Sequence, residues 1–240
     1  MNKTKIIKEI KSIIKALIIV VGFKTFLFSN WHIPSESMYP TLLVGDKLII
    51  NKYHYGYSRY SILFGIFPFK DRVLDFNKPK KGDVVVFAYP QKTTTLFIKR
   101  VVGTENDIIK FGFDGKIHSI NNQKIEYVFK NKVTFEDQEY NLYEEAMGGV
   151  KHDVYIKTKY DNSHFSEIAV EYKVPKGKIF ASGDNRHMSH DSRFSDVGYI
   201  DVQNIVGKAS LKYFSSGSSI FNPVAFFKQI RWNRIFKKIT

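Results

Sequence analysis

The chain contains no cysteine. That excludes disulfides, thiolate nucleophiles and cysteine-ligated zinc, although it leaves the compartment open, since a disulfide-free protein occurs anywhere. Proline is sparse, with seven in 240 residues, so each one marks a particular backbone point. Acidic side chains are in deficit: 23 Asp and Glu face 37 Lys and Arg, a formal net charge of +14. Such a balance points to an anionic partner, either nucleic acid or a phospholipid surface. No repeat of fixed length is present, and residues 41–213 show no long helical period. What the chain does have is apolar material. Hydrophobic residues make up 43 %, with 21 Phe and 14 Tyr, which excludes disorder and leans toward strands. The length suits one or two compact domains.

The two ends differ from the middle. The first fifteen residues carry five lysines and one glutamate, and "ALIIVVGFKTFLFSNW" follows, apolar except for Lys24 and small polar residues. A helix over residues 12–29 spans about 27 Å, close to a bilayer core. The expectation is a transmembrane helix over 12–30 behind a basic cytoplasmic segment, 1–11, with Trp31 as an interfacial anchor. A cleaved secretory signal, an amphipathic surface helix and a buried core helix compete with it, but no small-x-small cleavage site precedes "WHIPSES". The last nineteen residues, "NPVAFFKQIRWNRIFKKIT", hold no acidic residue. Asn222 then Pro223 fits a helix start. A solvated amphipathic helix, a helix on an anionic membrane and an RNA-binding strip are all open. Membrane proximity is the simplest of these beside an N-terminal anchor.

Between the ends, short apolar runs such as "DKLIINKY", "GDVVVFAYP", "TLFIKRVVG" and "GKIFASGD" alternate with Gly, Asp, Asn and Pro. They predict a mainly β fold of antiparallel strands in a sandwich or barrel-like sheet. "FDGK", residues 113–116, signals a hairpin turn. Residues 108–173 read as an inserted smaller β domain. The main β core is then 31–107 with 174–218, and 219–240 is a basic amphipathic C-terminal segment.

"WHIPSESMYPT", residues 31–41, sets Ser35 and Ser37 between two prolines. Proline on both sides argues for extended or tightly turning backbone, with the two serines pointing roughly the same way. Most loop serines form turns. A nucleophilic serine needs a positioned base. None of the seven histidines lies in a triad or nucleophile-elbow pattern, and His187 and His190 in "HMSH" have no obvious third metal ligand. "TLFIKRVVG" puts Lys99 and Arg100 on opposite faces of an apolar strand. Lys99 is either a snorkelling edge lysine or a desolvated base whose pKa has fallen by about 3 units. "SGDNRHMSHDSR", residues 182–193, is a polar loop straight after a strand, rich in groups that could hold an amine.

These blocks, in this order behind an apolar N-terminal segment, resemble the bacterial type I signal peptidases, membrane-bound Ser-Lys proteases. "IPSESMYPTL" resembles the nucleophile block, "GDKLIINKYHYG" the strand after it, "KGDVVVF" with "FIKRVVG" the general-base block, and "SGDNRHMSHDSR" the last block. The resemblance implies Ser37 as nucleophile and Lys99 as base, with the Ser37 backbone N–H and the Ser35 hydroxyl as the oxyanion hole. It implies Ser189 as the serine that orients the amine, and Asp191 as a supporting carboxylate paired with Arg100 and Arg193. Trp31, Ile33, Met38, Leu42, Phe97 and Ile98 fall where that family lines small apolar pockets for an Ala-x-Ala site. Glu36, His187 and Met188 depart from the residues common in relatives.

The activity implied is cleavage of N-terminal signal peptides from exported preproteins, without cofactor or metal. The implied place is the bacterial inner membrane, single-pass, N-terminus inside and catalytic domain outside. Its partners would be preproteins, the phospholipid membrane and, by proximity, the secretion translocon, with no nucleic acid. A self-cleaving repressor would need an N-terminal helix-turn-helix, which residues 1–30 lack. A non-enzymatic basic adaptor leaves Ser35, Ser37 and Lys99 unexplained.

Overall fold

The computed structural model of the chain describes residues 3–61, 72–135, 137–158, 169–218 and 223–240. Helix α1 (Lys3–Phe26) leads into β1 (Phe28–His32), β2 (Asp46–Asn51), β3 (Val84–Tyr89) and β4 (Lys92–Gly103). Then come β5 (Ile108–Gly112), β6 (Ile117–Ile120), β7 (Gln123–Lys124), β8 (Tyr127–Phe135), β9 (Gln138–Met147), β10 (Val150–Lys157) and β11 (Ala169–Lys173). The chain continues through β12 (Lys178–Ser182), β13 (Ile200–Asp201), β14 (Ile205–Ser215), α2 (Pro223–Lys228) and β15 (Lys237–Lys238).

The strands form three antiparallel sheets. The largest has eight strands in the order β1-β2-β14-β3-β4-β12-β13, with β15 on β14. It is an open sheet with β1 and β13 at its ends, so the expected barrel-like closure is not found. Its sequence logic is burial on one or both faces. In β2, Leu48 and Ile50 point inward and alternate with half-buried positions. In central β3, "VVVFA" is buried throughout, as a strand covered on both faces must be. β4 lies between β3 and β12 and is buried from Ile98 to Gly103. Lys99 and Arg100 are therefore interior side chains, and the edge-strand reading of Lys99 is overturned.

Residues 108–173 supply the other two sheets, β11-β5-β6-β7 and β10-β9-β8. The "FDGK" turn joins β5 to β6, with Gly115 at φ 81° and Lys116 N donating to Asp114 Oδ1 at 3.0 Å. Ile109, Phe111, Ile117 and Met147 from this region share one apolar cluster with Val102 of β4 and Phe180 of β12. The inserted strands thus pack on the same core that carries Lys99.

Helix α1 starts and stops earlier than expected. Its 24 residues end at Phe26, and residues 28–32 pair with β2 instead of extending the helix. The stop is built from side chains that take the last carbonyls, the groups a helix end leaves unsatisfied. Buried Lys52 donates to Lys24 O at 3.2 Å and Thr25 O at 3.4 Å, and Tyr57 OH donates to Phe26 O at 2.8 Å. No helix among the described residues is long and apolar enough to cross a membrane. Lys11, Lys15 and Lys24 interrupt the apolar run of α1. Its apolar side chains are nonetheless uncovered, with Leu17, Ile18 and Ile19 57–70 % exposed.

The C-terminal segment is not one amphipathic helix. Asn222 lies outside the described residues, and α2 covers only Pro223–Lys228. The rest docks on the large sheet. Arg234 pairs with fully buried Asp46 at 2.7 Å and also donates to Thr41 O, while Ile239 joins the core beside Ile33, Met38 and Leu42. Phe227, Trp232 and Phe236 remain 69–75 % exposed.

Candidate active site

The segment after β1 turns twice. Tyr39 N donates to Glu36 O and Leu42 N to Met38 O, each at 2.9 Å, so of the two expected backbone forms residues 36–42 take the tightly turning one. Met38 and Leu42, 1 % and 0 % exposed, plant this turn in the core. Ser35 is exposed and Ser37 is buried. Ser37 sits at the turn's start, with its hydroxyl 2.7 Å from Lys99 Nζ. Lys99 is 5 % exposed, and burial pulls its amine from the ordinary 10.5 to about 8, against the opposing fields of Asp191 and Asp184. The site thus joins a serine hydroxyl to a nitrogen that is neutral in part of the population near neutral pH.

The 182–193 loop closes over this pair. Asp191 Oδ2 accepts from Ser182 Oγ and Gly183 N, both at 2.9 Å, and Arg193 grips the same carboxylate through Nε and Nη2, both at 2.8 Å. Burial alone would raise Asp191, but Arg193 and the Gly183 N–H hold it below its ordinary value. Arg100 does not join that carboxylate, contrary to expectation. Its Nε and Nη2 bind Asp184 Oδ1 and Oδ2, both at 2.8 Å, and its Nη1 donates to Gly82 O at 2.7 Å. The reason is alternation along β4. Arg100 leaves the sheet on the face opposite Lys99, so each basic residue meets a different part of the loop.

The loop touches the nucleophile turn through main chain. Asn185 N donates to Ser37 O at 3.1 Å. Gly183 permits this approach, because a Cβ there would lie 2.3 Å from Ser37 O and 2.3 Å from Ser189 Oγ. Of the residues expected to line apolar pockets, Ile33, Met38, Leu42 and Ile98 lie inside one core cluster, with Trp31 packed against it. Phe97 packs on another and stacks on Tyr89 with ring centroids 4.8 Å apart. A cavity of about 500 Å³ bordered by Tyr55, Arg72 and Gln203 shares no residue with this site. His187 and His190 face different partners. Lys157 N donates to His187 Nδ1 at 3.3 Å, burial lowers His187 to about 4, and His190 Nε2 lies 2.7 Å from Asp196.

Sequence reading passed over Gly183, Asp184, Asn185 and Arg186, although all four stand in the quoted loop, because nothing local tells which polar residue faces inward. It also passed over Glu145 and His152. Their signal was present. "MGGV" is a two-residue hairpin turn, and counting outward from Gly148 and Gly149 sets His152 opposite Glu145, the register found between β9 and β10.

A serine hydroxyl buried 2.7 Å from a lysine amine on a mainly β, antiparallel scaffold is an arrangement a serine peptidase can use. The family model "Signal peptidase, peptidase S26" matches residues 6–214. The chain belongs to that family, whose serine peptidases remove signal peptides. It is 33 % identical to a signal peptidase I of Pseudomonas fluorescens over 225 residues, 90 % of this chain and 75 % of that one. It is 31 % identical to a signal peptidase I of Rickettsia bellii, covering 99 % and 87 % of the two chains. A crystal structure of a signal peptidase I from Enterococcus faecalis aligns with 56 % of this chain and 98 % of its own, at 18 % identity and a TM-score of 0.30.

Proposed function

We propose that Ser37 is the nucleophile and Lys99 its general base in the removal of signal peptides after Ala-x-Ala-type sites. The observation that carries this reading is the 2.7 Å contact between Ser37 Oγ and a buried Lys99 amine. Neutral Lys99 takes the Ser37 proton as Oγ bonds to the scissile carbonyl carbon. The carbonyl electron pair moves onto oxygen, where the Ser37 N–H and the Ser35 hydroxyl stabilise it. Collapse breaks the C–N bond, and Lys99 returns the proton to the leaving amine. Water, deprotonated in turn by Lys99, hydrolyses the acyl-enzyme and frees Ser37. Ser189 and Asp191 orient the amine, and Arg193 holds Asp191. The substrate lies extended against Trp31 and Phe97, with Ile33, Met38, Leu42 and Ile98 shaping the floor for small side chains.

In this reading β1, the rest of 31–107 and 174–218 form the catalytic core, 108–173 supports it, and the apolar part of α1, ending at Phe26, makes a single membrane pass. The N-terminus is inside and the catalytic core lies outside the bacterial inner membrane, near the translocon that delivers preproteins. The uncovered Leu17, Ile18 and Ile19 support this, with Lys15 and Lys24 extending toward the interfaces. The exposed Phe227, Trp232 and Phe236 among basic residues suit contact with an anionic headgroup layer. The test is cleavage, in detergent or lipid, of a precursor carrying an Ala-x-Ala site. Wild type cuts after the second Ala, while Ser37→Ala and Lys99→Met, both folded, do not. Survival of cleavage in either variant removes that residue from the mechanism.

A further inference from the structure

Two carboxylates lie buried behind the Ser37–Lys99 pair, Asp184 and Glu145, each 0 % exposed. Asp184 holds Arg100 through two 2.8 Å bonds, and Glu145 holds Arg186 and accepts from Tyr127 OH. Burial would raise Glu145, yet Arg186 and His152 hold it well below the ordinary carboxylate range. His152 sits between the two carboxylates. Its Nε2 is 2.9 Å from Glu145 Oε2 and 3.8 Å from Asp184 Oδ1, and its side chain is 1 % exposed. Two guanidiniums, Arg100 and Arg186, face the same two carboxylates.

The strand that carries His152 also reaches the nucleophile. Three residues on, β10 runs parallel to the loop at Asn185. Tyr155 N donates to Asp184 O at 2.9 Å, and Arg186 N donates to Tyr155 O at 3.0 Å. Between those two bonds lies Asn185, whose N donates to Ser37 O. Main chain therefore links β10 to the Ser37 turn through the loop alone, and side chains link β10 to Arg100, the neighbour of Lys99.

We propose that His152 is a positioning residue for the peptidase reaction. It packs between Glu145, 2.9 Å from its Nε2, and Asp184, 3.8 Å away, and so sets the 184–186 segment against the Ser37 carbonyl. The inserted sheet β8–β10 is then a strut for the active site as well as a surface extension. The proposal rests on the reading of Ser37 and Lys99 as nucleophile and base.

The experiment uses the full chain in detergent with an Ala-x-Ala precursor. It compares wild type with His152→Leu, His152→Gln, His152→Asn and Ser37→Ala. Gln places an amide N–H near the Nε2 position, whereas Asn is too short to reach Glu145. His152→Leu is expected to lower kcat by about tenfold to a hundredfold, as a small displacement of the reacting groups does, with KM within about twofold of wild type. His152→Gln restores kcat to within about threefold of wild type. If Leu fails to fold, Asn takes its place with the same expected loss. Wild-type kcat in Leu or Asn, a change confined to KM, or Gln as slow as Asn overturns the proposal while leaving a dead Ser37→Ala untouched. Cleavage by Ser37→Ala instead overturns the nucleophile reading, and this proposal with it.

Discussion

Lys99→Met removes the amine proposed as general base and, by the same stroke, an energetic burden. An unfolded chain holds the Lys99 proton up to pH 10.5, whereas burial makes the folded chain release it at about 8. Between those values the unfolded state binds more protons, so stability rises with pH. Below pH 8 both states are charged, and folding carries the whole desolvation penalty. A fall from 10.5 to about 8 is worth about 3 kcal/mol at 1.36 kcal/mol per tenfold change. Methionine has no charge to desolvate and nearly fills the space, but it loses the contact with Ser37 Oγ, worth about 1 kcal/mol. The net expectation at pH 7 is a gain of about 2 kcal/mol, or about 4–8 °C in Tm for a chain of this size. Thermal unfolding of both proteins from pH 6 to 11 measures it. The gain should be full below pH 8, shrink as pH rises and turn into a loss of about 1 kcal/mol above 10.5, with cleavage absent throughout. A Tm for Lys99→Met that is equal to or below wild type at pH 7, or a gain that persists unchanged at pH 11, would refute the claim that burial lowers the Lys99 pKa.

The same titration governs rate. With Lys99 near 8, about a tenth of the enzyme is in the neutral-amine form at pH 7 and about a hundredth at pH 6. kcat should thus rise about tenfold per pH unit up to 8 and then level, and a profile flat down to pH 5 opposes a lysine base. Gly183→Ala forces a Cβ to within 2.3 Å of Ser37 O, so it should destabilise by about 1–3 kcal/mol and slow cleavage by on the order of a hundredfold. Gly22→Ala, with nothing within 4 Å, should leave cleavage unchanged, and equal behaviour of the two variants contradicts the packing argument. Asp46→Ala strips the partner from Arg234 and the acceptor from Leu43 N, for a loss of about 2–4 kcal/mol seen in denaturant unfolding. It should also speed proteolysis within residues 231–240, which Arg234 helps hold to the core together with Ile239 and β15, and an unchanged cleavage rate there counts against that anchoring role.

The strands were legible where burial is one-sided or complete and the run is short. "DKLIINKY", "GDVVVFAYP" and "TLFIKRVVG" became β2, β3 and β4 near the expected bounds, because alternation and β-branching are local properties. Closure into a barrel was not legible, since it depends on whether β1 and β13 meet, and these lie far apart in the chain. The end of α1 was misplaced by several residues because Lys52 and Tyr57, which take its last carbonyls, come from a later segment. The C-terminal segment looked amphipathic by composition, yet Arg234 and Ile239 were claimed by Asp46 and the core.

Sequence by itself determined that the fold is β-rich and antiparallel, that chemistry must come without cysteine, and which ordered blocks resemble signal peptidases. Those are statements about composition and short-range period, which the chain carries residue by residue. Only the tertiary structure decided that Lys99 is interior, that Arg100 belongs to Asp184 and Arg193 to Asp191, and that His152 stands between two buried carboxylates. Pairing among buried charges depends on which face of β4 and which turn of the 182–193 loop meet. Desolvation of an amine depends on everything packed around it, and neither is a property of any short stretch of sequence.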